Sequence, residues 1–157
     1  HLTVFPASTT AEEILRHNPN GIVITNGPGN PADVPEVIET VKALIGKKPM
    51  LGFCMGHLVM ALANGAEATK MKFGHHGNQP VKGLETGRVY ISAQNHGYVV
   101  DAASLEGKDI TLTHVALNDG TVEGLKYEGK NALSVQFLPD GEHAYLLKSF
   151  VDMMEGR

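Results

Sequence analysis

The sequence predicts an α/β domain. Two patterns across its 157 residues carry that reading. Strand-like and helix-like segments alternate through the first half, the pattern of strands connected through helices. The second half is richer in short runs of β-branched and aromatic residues, which suit a pleated, half-buried surface. A chain of this length fits one domain with a real core, so residues 1–157 are read as a single domain.

Each element has a local reason. Leu2–Phe5 is a short apolar strand. Thr9–His17 reads as a helix, where Thr9 with Glu12 and Thr10 with Glu13 both fit the capping-box spacing. Gly21–Thr25 is a buried-type strand ended by Asn26-Gly27-Pro28-Gly29. From Pro31 or Ala32 to Ile45, the apolar residues Val34, Val37, Ile38, Val41, Leu44 and Ile45 recur at helical spacing. Pro31 or Pro35 fits the first turn, where no amide bond is lost, and Gly46 fits the C-cap. Pro49–Phe53 is a strand leading straight into Cys54, and His57–Asn64 is a helix closed by Gly65. Further strands are read at Arg88–Gln94, Tyr98–Val100, Ile110–Asn118, Val122–Lys126 and Ala132–Phe137. Asn118-Asp119-Gly120-Thr121 is a hairpin turn. The last helix, Glu142–Met154, sets Tyr145, Leu146, Phe150 and Met153 on one face.

Composition excludes several function classes. With 42% hydrophobic and 19% charged residues the chain is of ordinary globular type, and a net charge of -4 without any basic run argues against nucleic acid or anionic membrane surfaces as partners. Apolar stretches such as Leu58–Ala63 are far too short to span a bilayer. The opening residues His1–Phe5 read as a strand and not as a signal peptide. A single cysteine forms no internal disulfide, which suits the reducing cytoplasm. The chain starts abruptly and without Met, as a fragment or processed chain would.

Gly52-Phe53-Cys54-Met55-Gly56 carries the sharpest chemistry. Strand, small residue, nucleophile, small residue, helix is the form of a nucleophile elbow. Flanking glycines relieve crowding at the turn. The thiol then meets a helix N-terminus, which favours thiolate, and the Met55 amide is placed to donate to an oxyanion. The plainer alternative is a strand-to-helix turn with an inert cysteine. Asn26–Pro31 is a rigid loop with exposed amides that could complete an oxyanion hole, or simply a loop opening a helix. Gln94-Asn95-His96-Gly97-Tyr98 reads as a polar binding loop, or as a hairpin turn. The adjacent histidines of Gly74-His75-His76-Gly77 lack a recognised spacing to carboxylate or Cys partners, so no metal site is assigned.

Taken in order, Asn26–Pro31, Gly52–His57, Lys70-Met71-Lys72-Phe73-Gly74-His75, Asn78–Val81, Gln94–Tyr98, Asn118–Gly124 and Ser134-Val135-Gln136-Phe137 form a set. This set resembles the class I glutamine amidotransferase domain of carbamoyl phosphate synthetase small subunits over nearly the whole chain. The resemblance implies a flavodoxin-like fold: an open, mostly parallel sheet flanked by helices, a small antiparallel extension, and a site at the C-terminal ends of the parallel strands. It implies that Cys54 attacks the side-chain amide of glutamine to form a thioester. Gly29 and Met55 amides would bind the oxyanion, and Gly27, Asn95, Gly97 and Tyr98 the amino-acid end of the substrate. No cofactor is implied. The partner implied is a large ATP-dependent synthetase subunit that receives the ammonia, in the cytoplasm, for arginine and pyrimidine synthesis.

The sequence departs from that family at four places. Leu58 stands where the family has a substrate-binding Gln. Leu138 stands where it has the catalytic His, and Asp140 where it has the Glu that orients it. The segment Asp140-Gly141-Glu142 runs almost directly into the last helix, where the family carries several more residues, and the Gly77-Asn78 loop is one residue short. The family's first strand and helix, and its separate N-terminal domain, have no counterpart here. Without the histidine the chain is expected to be slow or inactive, unless His143 takes its place. His57 and His96 lie in motifs where the family uses them structurally. A non-catalytic binding or interaction module is the alternative.

Overall fold

The computed structural model describes residues 1–157. Helix α1 (Ala11–Arg16) is capped by Thr10, whose hydroxyl accepts from Glu13 N at 3.3 Å, which decides between the two capping frames. Strand β1 (Ile22–Ile24) leads through a 3₁₀ turn at Pro31–Asp33 to α2 (Pro35–Leu44), with Pro35 in its first turn. Gly46 follows that helix at φ +83°, a left-handed backbone that glycine adopts without strain. Strand β2 (Met50–Phe53) and helix α3 (Met55–Ala63) flank Cys54. Then come β3 (Ala68–Gly83), β4 (Val89–Val100), β5 (Ile110–Ala116), β6 (Val122–Tyr127), β7 (Ala132–Val135) and α4 (Ala144–Met154).

All seven strands form one sheet in the order β1-β2-β7-β6-β5-β3-β4. β1, β2 and β7 are parallel neighbours and make the α/β half. From β7 outward the pairs β6, β5, β3 and β4 are antiparallel, so the extension supplies most of the sheet's width. Helices cover both faces. Strand alternation in β7 sends Ala132 and Ser134 to the α2/α3 side, and Leu133 and Val135 to the α4 side. The larger core packs Val41 and Leu44 of α2, and Val59 and Met60 of α3, over Met50, Leu125 and Tyr127. A smaller one packs Leu146 of α4 over Val81, Val135 and Phe137. Each fully buried aliphatic side chain contributes about 1.5–3 kcal/mol. Inside the larger core, Ser134 joins three elements: its hydroxyl lies 2.8 Å from His57 Nδ1 on α3 and 3.0 Å from the Tyr127 hydroxyl on β6.

Three segments differ from the sequence reading. Leu2–Phe5 forms no strand, and Leu2 and Val4 are each 83% exposed. A strand exists only where its amides find a ladder, and none of the seven strands lies beside this segment. Residues 68–83 form the long strand β3, broken in register between Lys70 and His75. Its polar and glycine-rich composition carries no strand propensity, and pairing with β4 makes the strand. Gln94–Tyr98 accordingly lies within β4, not in a loop between two strands.

Candidate active site

Cys54 stands between β2 and α3 with φ 55° and ψ -113°. Few residues with a Cβ adopt that conformation, and the surroundings enforce it. The Cys54 amide donates to Val135 O at 3.0 Å, continuing the β2–β7 ladder, while its carbonyl accepts from Leu58 N at 3.3 Å as the first turn of α3. The flanking glycines are required by close approach. A Cβ at Gly56 would collide with the Ile24 carbonyl of β1, and one at Gly52 would stand 2.8 Å from Gly56 O. The elbow is therefore wedged against two parallel strands.

Around Cys54 lies a cleft of about 240 Å³. Its wall joins Gly27, Pro28 and Gly29 from the loop after β1, Cys54, Met55 and Leu58 from the elbow, and Asn95–Tyr98 from β4. It opens beyond the C-terminal ends of β1 and β2, where open α/β sheets place their ligands. Leu58 is 3% exposed and offers the cleft only an apolar surface. Cys54 is 8% exposed, and burial pushes its thiol pKa up; the Met55 amide pulls the other way, and the Glu123 carboxylate adds to the rise. The lowering expected at a helix N-terminus is thus outweighed by desolvation.

Leu138 and Asp140 do not line this cleft. Leu138 is 40% exposed. Asp140 holds His143 by its backbone, its carbonyl accepting from His143 N at 2.8 Å, and its carboxylate is largely in solvent. His143 is also absent from the cleft. It is buried, with its ring 4.6 Å from that of Phe137 and 5.4 Å from that of Tyr90. His57 is buried against Ser134, and desolvation pushes it down to about 3, so it stays neutral.

Beneath β4 lies a buried polar network. His75 Nδ1 donates toward Glu123 Oε1 at 3.1 Å, and its Nε2 toward Asp119 Oδ2 at 2.8 Å. Its pKa is pushed up to about 9, first by the Glu123 bond and then by Asp119. His96 lies 2.7 Å from Gln94 Oε1 and 2.9 Å from Tyr98 O, and burial pushes it down to about 4. His75, His96 and Glu123 each present a ligand-type atom within 4.8 Å of the others, but an imidazolium whose two nitrogens both donate to carboxylates has no lone pair for a metal ion. The carboxylate partner that the histidine pair lacked in sequence is supplied 48 residues away, from β6. Sequence reasoning also missed His76, which lines the cleft. With no strand read between Gly65 and Arg88, nothing aligned it with Asn95.

Comparison with known proteins places this geometry. Residues 1–150 match the family described as Glutamine amidotransferase class-I. The chain is 54% identical over 158 aligned residues, 97% of its length, to the carbamoyl phosphate synthase small chain of Bacillus cereus. It is 50% identical over 163 aligned residues to the protein of the same description from Listeria monocytogenes, covering 100% of this chain. It spans 43% and 45% of those two proteins, less than half of each. Among solved structures, a GMP synthase-like protein from Thermoplasma acidophilum superposes with a TM-score of 0.82 at 20% identity, covering 98% of this chain and 81% of that one. A glutamine amidotransferase from Thermotoga maritima superposes with a TM-score of 0.62 at 19% identity, covering 85% and 62%. At those identities the likeness is one of fold.

Proposed function

Because the chain belongs to the class I glutamine amidotransferase family, we propose that residues 1–157 are a single glutamine-hydrolysing domain of the carbamoyl phosphate synthase small-chain kind, slowed at its proton-transfer step. One observation carries the reading: a cysteine held at φ 55° shares a cleft with Gly27–Gly29 and with Asn95–Tyr98. In this reading glutamine enters with its amino-acid end against Gly27, Asn95, Gly97 and Tyr98. Cys54 Sγ bonds to the side-chain amide carbon, and the oxygen gathers charge opposite the Gly29 and Met55 amides. The thiol proton must reach the leaving nitrogen for ammonia to depart, and water then cleaves the thioester to glutamate. The released ammonia would pass to a large ATP-dependent synthetase subunit in the cytoplasm, for carbamoyl phosphate used in arginine and pyrimidine synthesis.

The proton transfer is the weak step. The side chain at position 138 is apolar and lies outside the cleft, and Asp140 faces solvent. General acid–base help is worth about 10²- to 10⁴-fold. That same observation favours a second reading, a module that binds glutamine or a partner without hydrolysing it. Steady-state glutaminase kinetics with Cys54→Ala as blank, together with mass spectrometry for a covalent adduct on Cys54, separates the two. Slow turnover or a trapped thioester fits the first reading. Glutamine binding without either fits the second, and no affinity for glutamine overturns the first.

A further inference from the structure

His76 lines the cleft beside Asn95. β3 and β4 run antiparallel in a register that sets these two residues directly opposite each other. His76 Nδ1 lies 2.9 Å from Asn95 Oδ1. An amide oxygen only accepts, so the contact is a hydrogen bond in the tautomer whose Nδ1 carries the hydrogen. In that tautomer the Asn95 amide faces one way. Its oxygen is engaged toward β3, and its NH2 group has no protein acceptor and is left for the cleft.

The His76 backbone is itself held. Gln79 Nε2 donates to the His76 carbonyl at 3.1 Å. A Cβ at Gly74 would stand 3.0 Å from His76 Nε2 and 2.6 Å from His96 O, so the ring uses space that only glycine leaves open. Glycines at φ +69° and +76°, Gly74 and Gly77, bracket the two histidines. A bare asparagine at an exposed strand position can turn either its oxygen or its nitrogen outward. With the His76 N–H opposite its oxygen, only the donor-out orientation keeps both groups bonded.

We propose that His76 is a positioning residue for substrate. It fixes the Asn95 amide as a donor directed at the α-carboxylate of an amino-acid amide, and so selects substrates that carry that carboxylate. A carboxylate accepts and never donates, so an asparagine turned oxygen-out would repel it. The inference rests on the glutamine reading of the cleft given above.

The test is calorimetric titration of the full chain in a Cys54→Ala background, which stops turnover. The ligands are L-glutamine and 4-aminobutanamide, which is glutamine without its α-carboxylate. His76→Ala should weaken L-glutamine about 3- to 10-fold, the worth of one hydrogen bond, and leave 4-aminobutanamide unchanged. His76→Asn places an amide N–H near the Nδ1 position and should keep most of the affinity. His76→Asp offers only acceptors, draws the Asn95 NH2 toward itself, and should be at least as weak as the alanine variant. Circular dichroism checks that each variant folds; if the alanine variant does not, the Asn–Asp difference decides. Equal losses for both ligands, no loss, or an Asn variant as poor as Asp overturns the proposal. A parent that binds both ligands equally overturns it while leaving the cleft a glutamine site. A parent that binds neither overturns the glutamine reading, and this proposal with it.

Discussion

The backbone amide of Leu138 donates to the carbonyl of Ala93 at 3.3 Å. This bond ties the segment after β7 to β4, two residues before Asn95. Position 138 is thus anchored to the strand that forms one wall of the cleft, although its side chain lies outside the cleft. Leu138→His should raise glutaminase activity by about 10²- to 10⁴-fold if that anchor lets the imidazole turn to the thiol. Parent and variant kcat, with Cys54→Ala subtracted, measure it. A variant no faster than the parent would mean that the short Asp140–Glu142 segment holds position 138 out of reach.

Gly56→Ala should prevent folding or cost at least about 3 kcal/mol. The new methyl would meet a backbone carbonyl of β1, which cannot swing aside as a flexible side chain does. Gly97→Ala is the control: a methyl there would meet no atom within 4 Å, so stability should stay within about 0.5 kcal/mol. Urea midpoints of both variants decide the matter, and equal midpoints would refute the wedge.

Stability should fall in alkaline solution because of His75. Its folded pKa, about 9, lies above its ordinary value of 6.5. The folded state therefore holds a proton that the unfolded chain has released. The contribution is fully present below about 6.5, shrinks as pH rises, and is gone above about 9. Urea denaturation of the parent and of His75→Asn across this range should show a gap that closes with rising pH. A gap independent of pH would contradict the ion-pair account.

The Cys54 thiol should alkylate sluggishly at neutral pH. Burial outweighs the Met55 amide and raises the pKa, so the rate should climb only above the free-thiol range of about 8.5. Iodoacetamide kinetics against pH measure this. An apparent pKa below about 8 would show that the helix N-terminus prevails.

What could be read from the residues alone was what local chemistry determines. The elbow was legible because Gly52 and Gly56 are demanded by close backbone approach, and such demands leave glycines at set positions. The frame of α1 was legible to within two choices, which the Thr10–Glu13 bond resolves. β3 was not legible, because its pairing with β4 comes from register and not from propensity. Hidden with it were the carboxylate pair around His75 and the place of His76 opposite Asn95. The strand reading of Leu2–Phe5 failed for the converse reason: the composition suits a strand, but no ladder meets it.

Ser134 gives the sheet a shared seam. β7 pairs parallel with β2 on one side and antiparallel with β6 on the other. The hydroxyl chain from Tyr127 through Ser134 to His57 crosses that seam and ends on the first turn of α3. Cys54 is therefore indexed to the outer hairpins as well as to its own two strands. A one-residue slip of β7 would turn Ser134 to the opposite face and Val135 toward α3. It would unseat His57 and misregister the Cys54 amide in a single step. Insertions in the β6–β7 connection, far from the thiol in sequence, are thus a way to silence it without touching the cleft.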